Sequence, residues 1–403
     1  MKKTVLCISL CMLFLTGCVY GTDVDEQAFV IAVGLEPGTQ YNYRATFVFS
    51  NPSSGSSGDK GGGGSDKGKS SDIVTLEAPT VFSAVRRLND LKSKKINLTH
   101  TKIVIFSDKL AKDGISDIVE GLSSSRDFRP NTLLCISSGS AEDYLKAVNP
   151  KQETFIDKYF DHSMQKVVTD SVNETYLYYL YFNIVDTNFG SLVPLVGTSS
   201  KKLDEATPAS SLSDDFALND FAGDIIKDAE NDAEISGGAI LKDGKLVAKI
   251  GSLYTDISRL ICDEFHPDSY SFIHKESGKY VTIRIMQHAR IRTDAKFVNG
   301  HAVIKKEVPI DIRYVDPAGV IKNKEDSDRF LSYVCSLLSE KADALILKSQ
   351  TEYNSDFLGL GEDIKHLFKD LDSWDKFNWK EKYRDADIKI KFTVNSTDYE
   401  EVK

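Results

Sequence analysis

The stretch that looks most like reaction chemistry is Gly63 to Ser70, which fits the pattern G-x-x-x-x-G-K-S. In a nucleotide-binding loop of that pattern, backbone N–H groups cradle phosphate while the Lys and Ser meet phosphate and magnesium. Such a loop must spring from a buried apolar strand and open a helix, so that the N–H groups converge. Here Gly and Ser precede it, and Asp72 to Ala78 follows with strand-like alternation into Pro79. The match reads as low complexity, and no nucleotide is expected. Hydrolysis would need a nucleophile beside a base, a carboxylate pair or a metal. No G-x-S-x-G, H-E-x-x-H or C-x-x-C arrangement occurs beyond residue 17. The histidines His100, His162, His266, His274, His288, His301 and His366 are dispersed, and His100, ahead of an apolar run, reads as structural. We expect no catalytic residue, no metal and no cofactor. The abundant carboxylates still leave room for an acid pair that no motif reveals.

Cys18 offers a different chemistry. Met1-Lys2-Lys3 is followed by an apolar run from Val5 to Leu15, then Thr16 and Gly17 before the thiol. This is the layout of a secretory signal with a small-residue cleavage site, so residues 1–17 are expected to be a removed signal peptide. A helix on that run would be about 17 Å long at roughly 1.5 Å per residue, against a hydrocarbon core of about 30 Å, and could not span. The quartet Leu15-Thr16-Gly17-Cys18 resembles the lipobox of bacterial lipoproteins. That resemblance implies a diacylglyceryl group on Cys18, which becomes the mature N-terminus on the outer leaflet of the membrane. Two acyl chains hold firmly where one holds marginally, at about 0.8 kcal/mol per methylene.

Loss of Lys2 and Lys3, with no acid removed, takes the formal charge of the 403-residue chain from −10 to −12. An acidic body without a basic stripe is not expected to bind nucleic acid. Cys135, Cys262 and Cys335 are widely spaced in apolar settings and read as buried free thiols.

The elements that would position any site follow from periodicity. Ala28 to Leu35 and Tyr41 to Phe49 read as a hairpin about Pro37-Gly38, and 51–71 as a flexible Gly/Ser loop. Val81, Ala84, Val85, Leu88 and Leu91 define one helical face. Ile103 to Phe106 and Leu133 to Ile136 are short strands covered on both faces, each followed by a helix, the first over Asp108 to Leu122. The strand and helix alternation implies an α/β unit over 18–197. Aromatic residues crowd 151–189, and core packing is their expected fate. Residues 198–234 are polar and acidic and are expected to be a linker.

A C-terminal α+β domain is then expected over 235–403, opening with a hairpin about Asp243-Gly244. Val281 to Ile285, Val308 to Ile312 and Ile388 to Val394 alternate as strands of an antiparallel sheet, the second near an edge because of Pro309. Phe330 to Leu345 should be the helix that covers them. The fold class is mixed α/β and α+β: several sheet-centred domains surrounded by helices, with one further boundary unplaced.

Three segments, in order, resemble one family. They are Asn97 to Ile115; Arg126-Asp-Phe-Arg-Pro-Asn131 running on through Leu133 to Ala141; and Ser355-Asp-Phe-Leu-Gly-Leu-Gly-Glu362 with Trp374, Trp379 and the strand from Asp387. They resemble the Ger(x)C lipoproteins, the C subunits of bacterial spore nutrient-germinant receptors. Val19 and Tyr20 stand where that family often has Trp, which leaves the lipobox intact.

The resemblance implies a non-catalytic receptor subunit needed for nutrient-triggered germination. It would be anchored in the spore inner membrane beside membrane-spanning A and B subunits, with three sheet-centred domains. Arg126 and Arg129, together with Gly359 and Gly361, are the candidates for a partner surface, although local pairing of the arginines and tight turns at the glycines would explain them too. An extracytoplasmic solute-binding lipoprotein, with two similar lobes about a cleft, is the alternative function, and a cell-wall enzyme is a third.

Overall fold

The computed structural model describes residues 23–50, 71–148, 156–163, 174–185, 188–199, 201, 219–229, 231–317 and 319–398. Residues 1–17, Cys18, the P-loop-like stretch and most of 51–71 and 198–234 lie outside the described residues.

The first sheet grows from a central strand, β1 (Gln27–Pro37). β2 (Tyr43–Ser50) pairs with it antiparallel, and β3 (Ser71–Ala78) extends the meander. The apolar alternation thus folds back on itself as expected, and the segment after the P-loop-like stretch is a strand where a phosphate loop would need a helix. On the other side of β1 lie the parallel strands β5 (Ile103–Ser107), β6 (Leu133–Ser137) and β7 (Ser191–Thr198), while β4 (Lys95–Asn97) pairs with the start of β1. Parallel pairing requires a crossover between strands, and helices supply it. Ile103, Ile105 and Cys135 face one apolar layer, while Val104, Phe106, Leu134 and Ile136 face the other. That double burial is why these strands read as unbroken apolar runs.

The helix expected over Asp108 to Leu122 is two helices, Asp108–Asp113 and Ser116–Ser124. Gly114 separates them at φ +123°, a conformation that L side chains rarely adopt. The break has a use. The backbone N–H of Ile115 donates to the Gly244 carbonyl at 2.9 Å, and the Ser116 hydroxyl donates to the Asp243 carbonyl at 3.1 Å. Asp243 and Gly244, both at positive φ, are the tip of the hairpin between β8 (Ala233–Lys242) and β9 (Lys245–Ile250). Lys249 adds an ion pair to Asp108.

β8 also pairs with β7, so these strands complete a nine-stranded sheet. The division expected at 198–234 therefore falls inside the first sheet: the hairpin expected to open the C-terminal domain is held by docking contacts to the N-terminal half.

The second sheet has five strands: β10 (Asp268–His274), β11 (Lys279–Met286), β12 (Arg292–Val298), β13 (His301–Asp316) and β14 (Asp387–Thr397). β13 is its spine. β12 pairs with the first residues, His301 to Glu307, of that strand and β11 with Asp311 to Asp316. Pro309 falls between these two ladders, so its missing N–H costs no bond there, and the strand is central although an edge was expected. β14 runs parallel to β13, against the expected all-antiparallel sheet, because the helix Lys324–Thr351 carries the chain back across the sheet first. Phe330, Val334, Leu337, Leu338 and Leu345 bury that helix on the sheet, as the spacing predicts. Two sheets, not the three implied by the resemblance, organise the described residues.

Candidate functional site

The four residues singled out for a partner surface do not come together. Arg126 and Arg129 lie on the exposed turn between helix Ser116–Ser124 and β6. The helix Leu177–Val185 packs beside them. Backbone bonds fix this neighbour: Tyr178 N–H donates to Pro130 O at 3.0 Å, and Leu177 N–H donates to Thr132 O at 2.8 Å. Its far end is tied by Asn183, whose amide donates to the Ser191 hydroxyl at the start of β7.

The helix reads Leu-Tyr-Tyr-Leu-Tyr-Phe-Asn-Ile-Val, apolar or aromatic nearly all round. Such a helix is normally buried on every side. Only Leu177 and Leu180 are fully buried, while Tyr178, Tyr179 and Phe182 stand out, Phe182 at 62% exposure. Core packing, the expected fate of these aromatics, holds for Phe160 but not for them.

Between the helix and the turn is a groove of about 530 Å³, lined by Phe128, Leu177, Tyr178, Tyr181 and Phe182 with Arg126 and Arg129 on its rim. Phe128 is buried and forms the floor. Among the described residues no ion pair or hydrogen bond engages either guanidinium, so the local pairing that could have explained them is absent. An apolar trough edged by free guanidinium forks can take an aromatic or aliphatic side chain together with a carboxylate.

Gly359 and Gly361 belong to a closed structure. The backbone turns at Gly359, φ +67°, and folds the peptide N–H groups of Leu360 and Gly361 onto the Asp356 carboxylate at 3.0 and 2.8 Å. Trp379 Nε1–H donates to the same carboxylate at 2.7 Å, and Gly190 N–H donates to the Asp356 carbonyl at 3.0 Å. Burial pushes the Asp356 carboxyl up from its ordinary value, while Trp379 and the two backbone donors pull against that.

A Cβ on Gly361 would stand 2.4 Å from Trp379 Nε1 and 2.9 Å from a Phe189 ring carbon, so only glycine fits. Trp379 is fully buried, and Trp374 stacks on Phe189 at 6.4 Å. Gly361 is buried, while Gly359 at the turn is partly exposed. Asp356 stands inside the segment Ser355 to Glu362 without being singled out there, and Gly190 had no motif to mark it; the apolar-all-round pattern of 177–185 was the sequence signal for the groove.

Reactive chemistry is sparse. His100 packs edge-on against Phe29 at 4.8 Å, a structural placement. Burial pushes the Cys135 thiol far up and those of Cys262 and Cys335 to about 12 and about 11, so all three stay protonated near neutral pH. Among the described residues no three metal-ligating side chains cluster, and no helix is long and apolar enough to cross a membrane.

The described residues thus form a mixed sheet of nine strands, a smaller five-stranded sheet and an open groove beside helix Leu177–Val185. Comparison with known proteins gives this fold a family. Residues 21–198 match the family model described as spore germination protein N-terminal domain, and residues 236–399 match spore germination B3/GerAC-like, C-terminal. The chain belongs to this family of spore germination proteins, the Ger(x)C family. It is 22% identical to spore germination protein GerQC of Bacillus cereus, with 98% of each chain covered. It is also 22% identical to spore germination protein KC of Bacillus subtilis (strain 168), with 91% of this chain and 89% of that one covered. In fold it is similar to the crystal structure of the GerBC protein, with a TM-score of 0.56 and 15% identity over 90% of this chain and 96% of that one.

Proposed function

We propose that this protein is the C subunit of a spore nutrient-germinant receptor, tethered by lipid on Cys18 to the outer leaflet of the spore inner membrane. There it acts without catalysis, beside membrane-spanning A and B subunits. The observation that carries the reading is the pair of family matches, in order, over both halves of the chain. A solute-binding lipoprotein would be built of two similar lobes, and sheets of nine and five strands are not similar lobes. Lipid confinement would raise the concentration of this acidic body at its partners without any further contact.

Fractionation of spores tests the anchor. Wild-type protein is expected in the membrane fraction, Cys18→Ala in the soluble fraction, and nutrient-triggered germination is expected to fail in that strain. A Cys18→Ala protein that stays membrane-bound, or spores that germinate normally without the chain, would overturn the reading.

A further inference from the structure

The parallel pairing of β1, β5, β6 and β7 puts the first residues of all four strands at one end of the sheet. β1 begins at Gln27, nine residues after Cys18, a span of at most about 32 Å. The groove lies at this same end, because its rim residue Arg129 and the anchoring contacts of helix Leu177–Val185 stand at the start of β6. With strands about 4.8 Å apart, β6 is two steps from β1, or about 10 Å. A lipid on Cys18 therefore holds the groove close to the membrane.

We infer that this groove docks an amphipathic segment of a membrane-spanning partner, one that carries a carboxylate beside aromatic or aliphatic side chains. The inference rests on the receptor reading above and names where the partner binds. Charge complementarity selects the occupant: among the described residues Arg126 and Arg129 have no ion-pair partner, on a chain of net charge −10. Their planar forks suit carboxylates, and Tyr178 and Phe182 offer the apolar wall. The bilayer itself is a poorer fit, since the acidic chain is repelled by anionic headgroups and two arginines are few against that charge.

The test uses the full-length lipoprotein in spores. Tagged wild-type chain, the Arg126→Glu/Arg129→Glu variant, Phe182→Ser and the distant control Lys279→Glu are purified from detergent-solubilised spore membranes. Co-purified membrane-spanning protein is then quantified against the tagged chain. We expect at least a tenfold loss in the double arginine variant, a severalfold loss in Phe182→Ser and none in the control, with equal amounts of every variant in the membrane fraction. A photo-crosslinking residue at position 182 should give an adduct with a membrane-spanning protein.

Equal co-purification by wild type and variants would sink the groove assignment alone, whereas a wild-type chain that retains no membrane protein would sink the receptor reading and the groove with it. An adduct of twice the chain's mass would make the occupant a second copy. Binding of vesicles of phosphatidylglycerol and phosphatidylcholine that the arginine variant abolishes would make it the bilayer. Either result overturns the inference.

Discussion

The Asp356 cage and the Arg126/Arg129 groove use the same materials, charged side chains among aromatic rings, to opposite ends. In the cage the carboxylate is buried and meets three N–H donors, and the rings of Trp379 and Phe189 close over Gly361. In the groove the two arginines are exposed and unpaired among the described residues, and the rings of Tyr178 and Phe182 face solvent. A buried charge must find its partners within the fold, whereas an exposed one can wait for another molecule. Satisfaction of polar groups thus separates architecture from interface more sharply than residue type does.

The contrast can be broken by substitution. The largest effect should come from Asp356→Ala, which strips three buried donors of their acceptor; at about 1–3 kcal/mol for each bare group, a loss of roughly 3–9 kcal/mol is expected in urea unfolding of the soluble chain. An unchanged midpoint would show that the cage is ornamental. Next is Gly361→Ala, where the added methyl meets the indole and the Phe189 ring, for an overpacking cost of about 1–3 kcal/mol. The same urea unfolding curves check it, and a midpoint equal to wild type would mean that the rings give way to the methyl at no cost.

A smaller effect concerns Asp311, a third kind of site, buried beside the exposed His288. Burial alone would raise its carboxyl, but donors from Ser396, Asn395 and His288 outweigh that and hold it below its ordinary value of 3.8. Because the folded pKa is the lower one, its contribution to stability is present above 3.8 and is lost as pH falls through the folded value. The stability advantage of wild type over Asp311→Asn should be constant at neutral pH and shrink in that acid window; an advantage that grows there would reverse the sign. The smallest effect is expected in the groove, where Arg126→Glu/Arg129→Glu should shift stability by no more than about 0.5 kcal/mol, as for surface positions generally. A larger loss would mean that the arginines belong to the architecture after all.

How much of this was legible depended on distance along the chain. The β1–β2 hairpin, the helix Val81–Leu91 and the Asp243-Gly244 turn follow from local spacing, and all three form. What local spacing cannot express is which sheet a strand joins. The β8–β9 hairpin belongs to the first sheet because its tip bonds to Ile115 and Ser116, far away in sequence, and β14 is parallel because a long helix intervenes. The site divides in the same way. Arg126 and Arg129 stood out through the segment that resembles the family, but the aromatic wall that gives them meaning arrives on a helix many residues later, and Asp356 becomes notable only once Trp379 and Gly190 are beside it.

The place of β1 in the first sheet has a mechanical consequence. Any tension carried by the N-terminal segment enters the body through this strand, which is gripped by β2 on one flank and β5 on the other, with β4 paired to its first residues. Hydrogen bonds of a ladder run roughly across the strands, so a pull along β1 strains many of them together rather than peeling them off one by one. A body pulled through this interior strand would resist as a unit.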